Sequence, residues 1–254
     1  MSKKVNLTEA AIRNHKELFP HHQSTLQTTD PELIEVFDNF AFDEVIGHGN
    51  LDTRTRVMMI LGSTIAGQAL SEYKVMLGAA LNIGVTPIEI KEIVYQSVPY
   101  VGIAKVLDFI HVTNEVLQSN GIKLPLEDQS TTTPQTRYAK GLKVQKEIFG
   151  EMIDKMYDES PKNQLHIQKY LSANCFGDYI TRNGLDIKTR ELLTFAMLIS
   201  LGGVDPQVKG HIQGNVNVGN NKELLLSVVT QLLPYIGYPR TLNAIKCLNE
   251  VMPD

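Results

Sequence analysis

The chain repeats itself. Leu51-Asp52-Thr53-Arg54-Thr55-Arg56 recurs as Leu185-Asp186-Ile187-Lys188-Thr189-Arg190, Asn82-Ile83-Gly84 as Asn217-Val218-Gly219, and Gln96-Ser97-Val98-Pro99-Tyr100-Val101-Gly102 as Gln231-Leu232-Leu233-Pro234-Tyr235-Ile236-Gly237. The first match is offset by 134 residues and the other two by 135, so one residue is inserted between them. Three collinear matches at nearly constant spacing require two copies of one structural unit, and whatever one copy folds into the other must fold into too. The units span about 30–120 and 133–254. The connector between them, 121–132, carries Pro125, several acids and a Ser-Thr-Thr-Thr run, which is linker chemistry.

Each unit reads as helical. Asp30-Pro31-Glu32, Thr133-Pro134 and Asp205-Pro206 combine a capping side chain with a proline that needs no N–H partner in a first turn. Thr86-Pro87-Ile88-Glu89 is a capping box, and Asp52, Ser71 and Asp186 are further expected caps. Gly84, Gly121 and Gly219 stand where a left-handed residue stops a helix. Between these marks apolar residues recur at helical spacing, as in Ile90, Ile93, Val94 and Val98, or Leu192, Leu193, Ala196, Met197 and Ser200. No segment alternates with period two for long. The expected fold is all-α, two homologous helical units in one chain.

Composition removes several classes of function. With 24 basic against 28 acidic side chains the formal charge is −4, so nothing steers the chain to nucleic acid. Two cysteines in 254 residues exclude a disulfide scaffold and a four-thiolate metal site. His15, His21, His22, His111 and His166 show no ligand spacing with acids or cysteines, so no metal is expected. The most apolar stretch, Val57 to Leu70, is broken by Gly62, Ser63, Thr64, Gly67 and Gln68 and is too short for a bilayer. The first residues, Met-Ser-Lys-Lys-Val-Asn-Leu-Thr-Glu, lack the apolar core of a secretory leader, and a cytoplasmic location is expected.

The order of motifs in the second unit is Leu-Asp-x-Lys-Thr-Arg opening a helix, an apolar helix ending near Leu201-Gly202, His211 followed by Gly214-Asn215 and Gly219, an acid-bearing helix, and Pro234-Tyr235-Ile236-Gly237. This resembles the carboxymuconolactone decarboxylase family, which is related to alkylhydroperoxidase D. The second unit matches best from Leu185 through Gly237, and the first keeps the frame while changing key polar positions. The resemblance implies a homo-oligomer, a trimer of two-unit chains, acting on a small molecule without cofactor, and no nucleic-acid or membrane partner. It also implies that His211 is a proton donor or acceptor, a role open to an imidazole side chain. At the equivalent position the first unit has Met76, which exchanges no proton.

The other candidates have open alternatives. Glu191 is either a buried proton relay or a paired acid, and the matched acids Glu44 and Asp178 either orient a base or cap a helix. Arg190, kept in both units as Arg56, either clamps a substrate carboxylate or makes a structural ion pair. Arg182, matched by His48, either binds substrate at a pocket border or is an exposed loop charge. Asn217 and Gln231 have identical partners in Asn82 and Gln96, which favours scaffold roles.

The resembled peroxidases place a Cys-x-x-Cys pair ahead of the histidine, where this chain has Val204 and Gln207. Cys175, which precedes the Arg182 segment, is the one thiol with a possible redox role, against the alternative of a small core residue. The leading functional expectation is cofactor-independent decarboxylation of a small carboxylated lactone or related acid. The alternatives are a peroxidase that uses Cys175 without a second thiol, and a non-catalytic helical assembly or small-ligand binder.

Overall fold

A computed structural model describes residues 5–20 and 24–253; the adjacent His21 and His22 lie outside the described residues, as do Met1–Lys4. Among the described residues there is no β-strand. Helices α1 (Glu9–Leu18), α2 (Leu26–Thr29) and α3 (Pro31–Asn39) lead into a π-helical turn over Phe40–Glu44. The first repeat follows as α4 (Thr53–Ala66), α5 (Leu70–Asn82), α6 (Pro87–Val101) and α7 (Ile103–Ser119). Next come α8 (Arg137–Phe149), α9 (Met152–Asp158) and α10 (Leu165–Tyr170), which runs into a second π-helical segment over Leu171–Ile180. The second repeat closes the chain with α11 (Ile187–Leu201), α12 (Asp205–Asn217) and α13 (Lys222–Val251).

The repeated motifs make the same local structure twice. Asp52 and Asp186 accept from the N–H of Thr55 and Thr189, each at 2.9 Å, and so start α4 and α11. Gly84 and Gly219, at φ of 82° and 91°, follow α5 and α12 in the left-handed region. Gly102 sits at φ 89° between α6 and α7, and Gly237 at φ 76° puts the same break inside α13. The inserted residue of the second repeat lengthens α11, which has 15 residues where α4 has 14.

Four start signals resolve differently from the expectation. Asp30 holds the N-cap position of α3, but its carboxylate takes the Thr29 hydroxyl at 2.6 Å and caps nothing. Thr133-Pro134 opens a turn, with the Thr133 N–H donating to Thr136 Oγ1, and α8 begins three residues later. Asp205 is the first residue of α12 rather than its cap, which is Val204, and Ser71 lies inside the first turn of α5 behind Ala69. At Thr133, Asp205 and Ser71 a proline or hydroxyl near the true end gives the signal while the backbone of the preceding loop sets the boundary, whereas α3 starts where Asp30-Pro31 places it and lacks only the capping bond.

Helices α4 and α11 are buried on nearly every face and pack against each other at the centre. They touch closely: a Cβ on Gly62 would lie 2.5 Å from Leu193 Cδ1, and Ser200 Oγ donates to Ser63 Oγ at 2.7 Å. Val57, Met59, Leu61, Leu193, Phe195 and Met197 thus belong to one core shared by both units. Each such side chain contributes about 1.5–3 kcal/mol through burial, so neither unit keeps its own core without the other. A second close crossing sits beside it. At Gly141 of α8 a Cβ would stand 1.9 Å from the Ser172 carbonyl oxygen, so the π-helical segment lies against bare backbone there. No described helix is long and apolar enough to cross a membrane.

Candidate active site

The fold brings Glu191 and His211 together. Glu191 lies in the second turn of α11 and is fully buried; His211 lies midway along α12 and is 13% exposed. His211 Nδ1 and Glu191 Oε2 are 2.8 Å apart, so the imidazole shares its Nδ1 proton with the carboxylate and leaves Nε2 for other chemistry. Asn215 fixes the pair from below, donating Nδ2 to the carbonyl oxygens of Glu191 at 3.0 Å and His211 at 2.7 Å. Asn220 in turn donates to Asn215 Oδ1 at 2.8 Å. Glu191 Oε1 is buried without a hydrogen-bond partner.

Tyr100 reaches this pair from the other unit. The break at Gly102 ends α6 so that the Tyr100 ring meets the His211 ring edge-on at 5.9 Å, while Phe149 closes the opposite side at 5.3 Å. The Tyr100 hydroxyl is buried and makes no hydrogen bond of normal geometry, although Cys175, Thr194 and Glu191 all lie close enough to influence it. Burial first, and then Cys175 and the Glu191 carboxylate beside it, hold the phenol well above its ordinary range, so it stays a neutral O–H donor.

Cys175, on the π-helical segment, packs against Tyr100. Burial pushes its thiol up to about 12, opposed in part by the Tyr100 hydroxyl and reinforced least by Glu191. A thiol so placed carries almost no thiolate near neutrality.

The two arginines do not contact His211. Arg190 is 1% exposed and its guanidinium is committed to protein: Nη1 donates to Gln96 Oε1 at 2.9 Å, and Nη2 to Glu92 Oε2 at 2.9 Å and to the carbonyls of Arg182 and Asn183. Nε is buried without a hydrogen-bond partner, and a side chain this deeply enclosed has no open face from which to clamp a substrate carboxylate in this arrangement. Gln96 closes the network by donating to the Arg190 carbonyl at 2.8 Å and to Thr194 Oγ1 at 3.0 Å. Arg182 donates Nε to both oxygens of Glu92, at 2.9 and 3.1 Å, and borders a cavity away from the histidine. Asp178 pairs with Arg137 at 2.6 Å, a structural contact.

The corresponding place in the first unit has lost its polar groups. The offsets map Glu191, Thr194, His211 and Cys175 onto Val57, Ile60, Met76 and Ala41, all buried and apolar. Tyr235, the counterpart of Tyr100, is kept there beside Arg56. Tyr100 of the first unit thus stands against the polar cluster of the second, and the repeat offset makes Tyr235 its counterpart at the apolar positions of the first. Sequence reasoning missed Tyr100; its cue was the Pro-Tyr-x-Gly repeat, and the crossing between units hid it. Among the described residues no cluster of three or more His, Cys, Asp or Glu could hold a metal ion.

The sequence model of the carboxymuconolactone decarboxylase family matches this chain twice, over residues 31–115 and 166–250. A 4-carboxymuconolactone decarboxylase of Acinetobacter baylyi is 29% identical over 119 residues, which cover 46% of this chain and 88% of that protein.

Proposed function

The chain belongs to the carboxymuconolactone decarboxylase family, and from that premise we propose that it is a cofactor-independent decarboxylase of a small carboxylated lactone or related acid. The observation that carries this reading is the buried Glu191–His211 pair with the unpartnered hydroxyl of Tyr100 against it. In a lactone whose carboxylate sits on a carbon conjugated through a double bond to the ring carbonyl, the carbon–carboxylate bond breaks and carbon dioxide leaves. The electron pair moves through the double bond to the carbonyl, giving a dienolate. Tyr100 O–H donates to the dienolate oxygen, and His211 Nε2–H delivers a proton to carbon, restoring the lactone carbonyl. Glu191 balances the imidazolium while it carries that proton and holds the ring in one orientation.

Arg190 takes no part in holding the substrate in this reading, because its side chain is enclosed by protein and its terminal nitrogens donate to Gln96 and Glu92. Arg182 donates Nε to Glu92 and keeps its terminal nitrogens without a protein partner. A peroxidase built on Cys175 is the weaker reading, since burial keeps the thiol protonated.

The assembly we propose is a homo-oligomer of two-unit chains. Exposed Ile103 and Leu107 of α7 recur, at the repeat offset, as exposed Tyr238 and Leu242 of α13, so each chain carries the same apolar pair twice. Sedimentation of the wild type beside Leu107→Lys/Leu242→Lys tests this: a smaller species in the variant is expected, and a monomeric wild type overturns it. For the reaction, carbon dioxide release from 4-carboxymuconolactone should be lost in His211→Gln with helicity unchanged.

A further inference from the structure

A cavity of about 570 Å³ lies between α6, α7 and the connector. That volume suits a small organic ligand. The connector forms one wall because it is tied to the second unit: Asn183 N–H donates to the Gln129 carbonyl at 2.9 Å, and Thr131 and Thr132 donate their hydroxyls to the carbonyls of Thr181 and Gly177.

Lys91 stands in one wall of this cavity and is only 8% exposed. Its ammonium donates to Asn114 Oδ1 at 2.7 Å and lies 5.1 Å from the centre of the Tyr95 ring; no carboxylate among the described residues pairs with it. Burial alone pulls its pKa below the ordinary lysine value, with nothing opposing. The nearest acid in sequence, Glu92, already serves both Arg182 and Arg190. Arg182 presents its guanidinium to the same ring at 5.2 Å, and its two terminal nitrogens make no hydrogen bond to the protein. A buried ammonium without a counter-ion and a guanidinium with open donors therefore share one cavity. Lys91 has no carboxylate of its own and Glu92 is shared between two arginines, so a bound anion supplies the partner these cations lack.

We infer that this cavity binds a small organic monocarboxylate, held between the Lys91 ammonium and the terminal nitrogens of Arg182, with its hydrocarbon part against Ile88, Leu124 and Leu126. Glu127 and Asp128, exposed at the rim, repel a second negative charge and set the preference for a monoanion. The repeat offset replaces Lys91 and Tyr95 by Leu226 and Thr230 in the second unit, so the site exists on one side of the molecule. It contains none of Glu191, His211 and Tyr100, and it stands apart from the reaction assigned to them. It is nevertheless connected to them: Arg182 bonds Glu92, Glu92 bonds Arg190, Arg190 bonds Gln96, and Gln96 bonds Thr194 beside Tyr100.

Calorimetric titration of the full chain with sodium benzoate at pH 7 and low salt, with benzyl alcohol as the uncharged match, tests the inference. Benzoate should bind at least tenfold more tightly than benzyl alcohol. Lys91→Met should weaken benzoate at least tenfold, the loss of one charge-assisted contact. Leu126→Trp, which fills the cavity from the connector, should do the same, and it decides the matter if Lys91→Met does not fold. His211→Gln should bind benzoate as the wild type does. Benzoate bound no better than the alcohol, bound equally by a folded Lys91→Met or by Leu126→Trp, or lost in His211→Gln overturns the inference.

Discussion

Tyr100, at the end of a helix of the first unit, sets its ring 5.9 Å from that of His211 in the second. Neither unit holds the whole cluster, and the repeat offset pairs Tyr100 with Tyr235. A buried hydroxyl without a partner costs about 1–3 kcal/mol, so its presence against the Glu191–His211 pair calls for a role outside folding. Tyr100→Phe is therefore expected to raise the melting temperature by a few degrees, the effect of about 1 kcal/mol in a chain of this length. In the same variant decarboxylation should fall by about 10²–10³-fold, as for loss of one oxyanion donor. Calorimetry and turnover on one preparation check both, and a variant that melts lower with full turnover contradicts the role.

Arg190 and Arg182 should separate under substitution. Arg190→Met leaves Glu92 and Gln96 buried around a missing charge, and breaking a buried pair in this way costs about 3–5 kcal/mol. Arg182→Gln removes one of the two arginines on Glu92 from a partly exposed site and should cost about 1–2 kcal/mol. Urea unfolding of both variants measures the difference, and equal costs count against the structural role of Arg190.

How much of this was readable beforehand depends on whether a signal is local. Asp52 and Asp186 cap their helices, and Gly84 and Gly219 stop theirs, because those roles are settled within a few residues. The helical class and the repeat were legible for the same reason. The π-helical segments over 40–44 and 171–180 left no such mark, since the sequence reads as ordinary helix and packing adds the extra residue per turn. His211 and Glu191 were identified as candidates one by one, but their contact joins two helices and no periodicity reports it. Lys91 was invisible as a site residue because its significance lies in what fails to pair with it.

The inert pocket supplies a third test. Val57→Glu places a carboxylate in an apolar core and should cost roughly 3 kcal/mol or more. Adding Met76→His gives that carboxylate the partner Glu191 has, and should recover about 1–2 kcal/mol through pair coupling. A double-mutant cycle by thermal or urea unfolding reads the coupling; additive costs would show that the two pockets are not geometrically equivalent.

Cys175 gives a pH signature. Its thiol is raised from an ordinary value of 9.0 to about 12, chiefly by burial, so the folded state holds its proton more tightly than the unfolded chain. Stability from this group is complete below pH 9 and is lost as pH rises from 9 toward 12. Iodoacetamide at pH 8 should leave Cys175 unmodified in the native protein and label it in urea, and Cys175→Ala should retain decarboxylation. Rapid native labelling at pH 8 runs against the buried, protonated thiol described here.

The most direct test of the central claim is carbon dioxide release from 4-carboxymuconolactone by the purified chain, wild type beside His211→Gln. The Glu191–His211 pair predicts turnover in the wild type and a loss of about 10²–10⁴-fold in the variant, the range for removal of a general acid, with helicity and sedimentation unchanged. No release by the wild type removes this lactone as the substrate, and release undiminished in His211→Gln contradicts the role given to the pair.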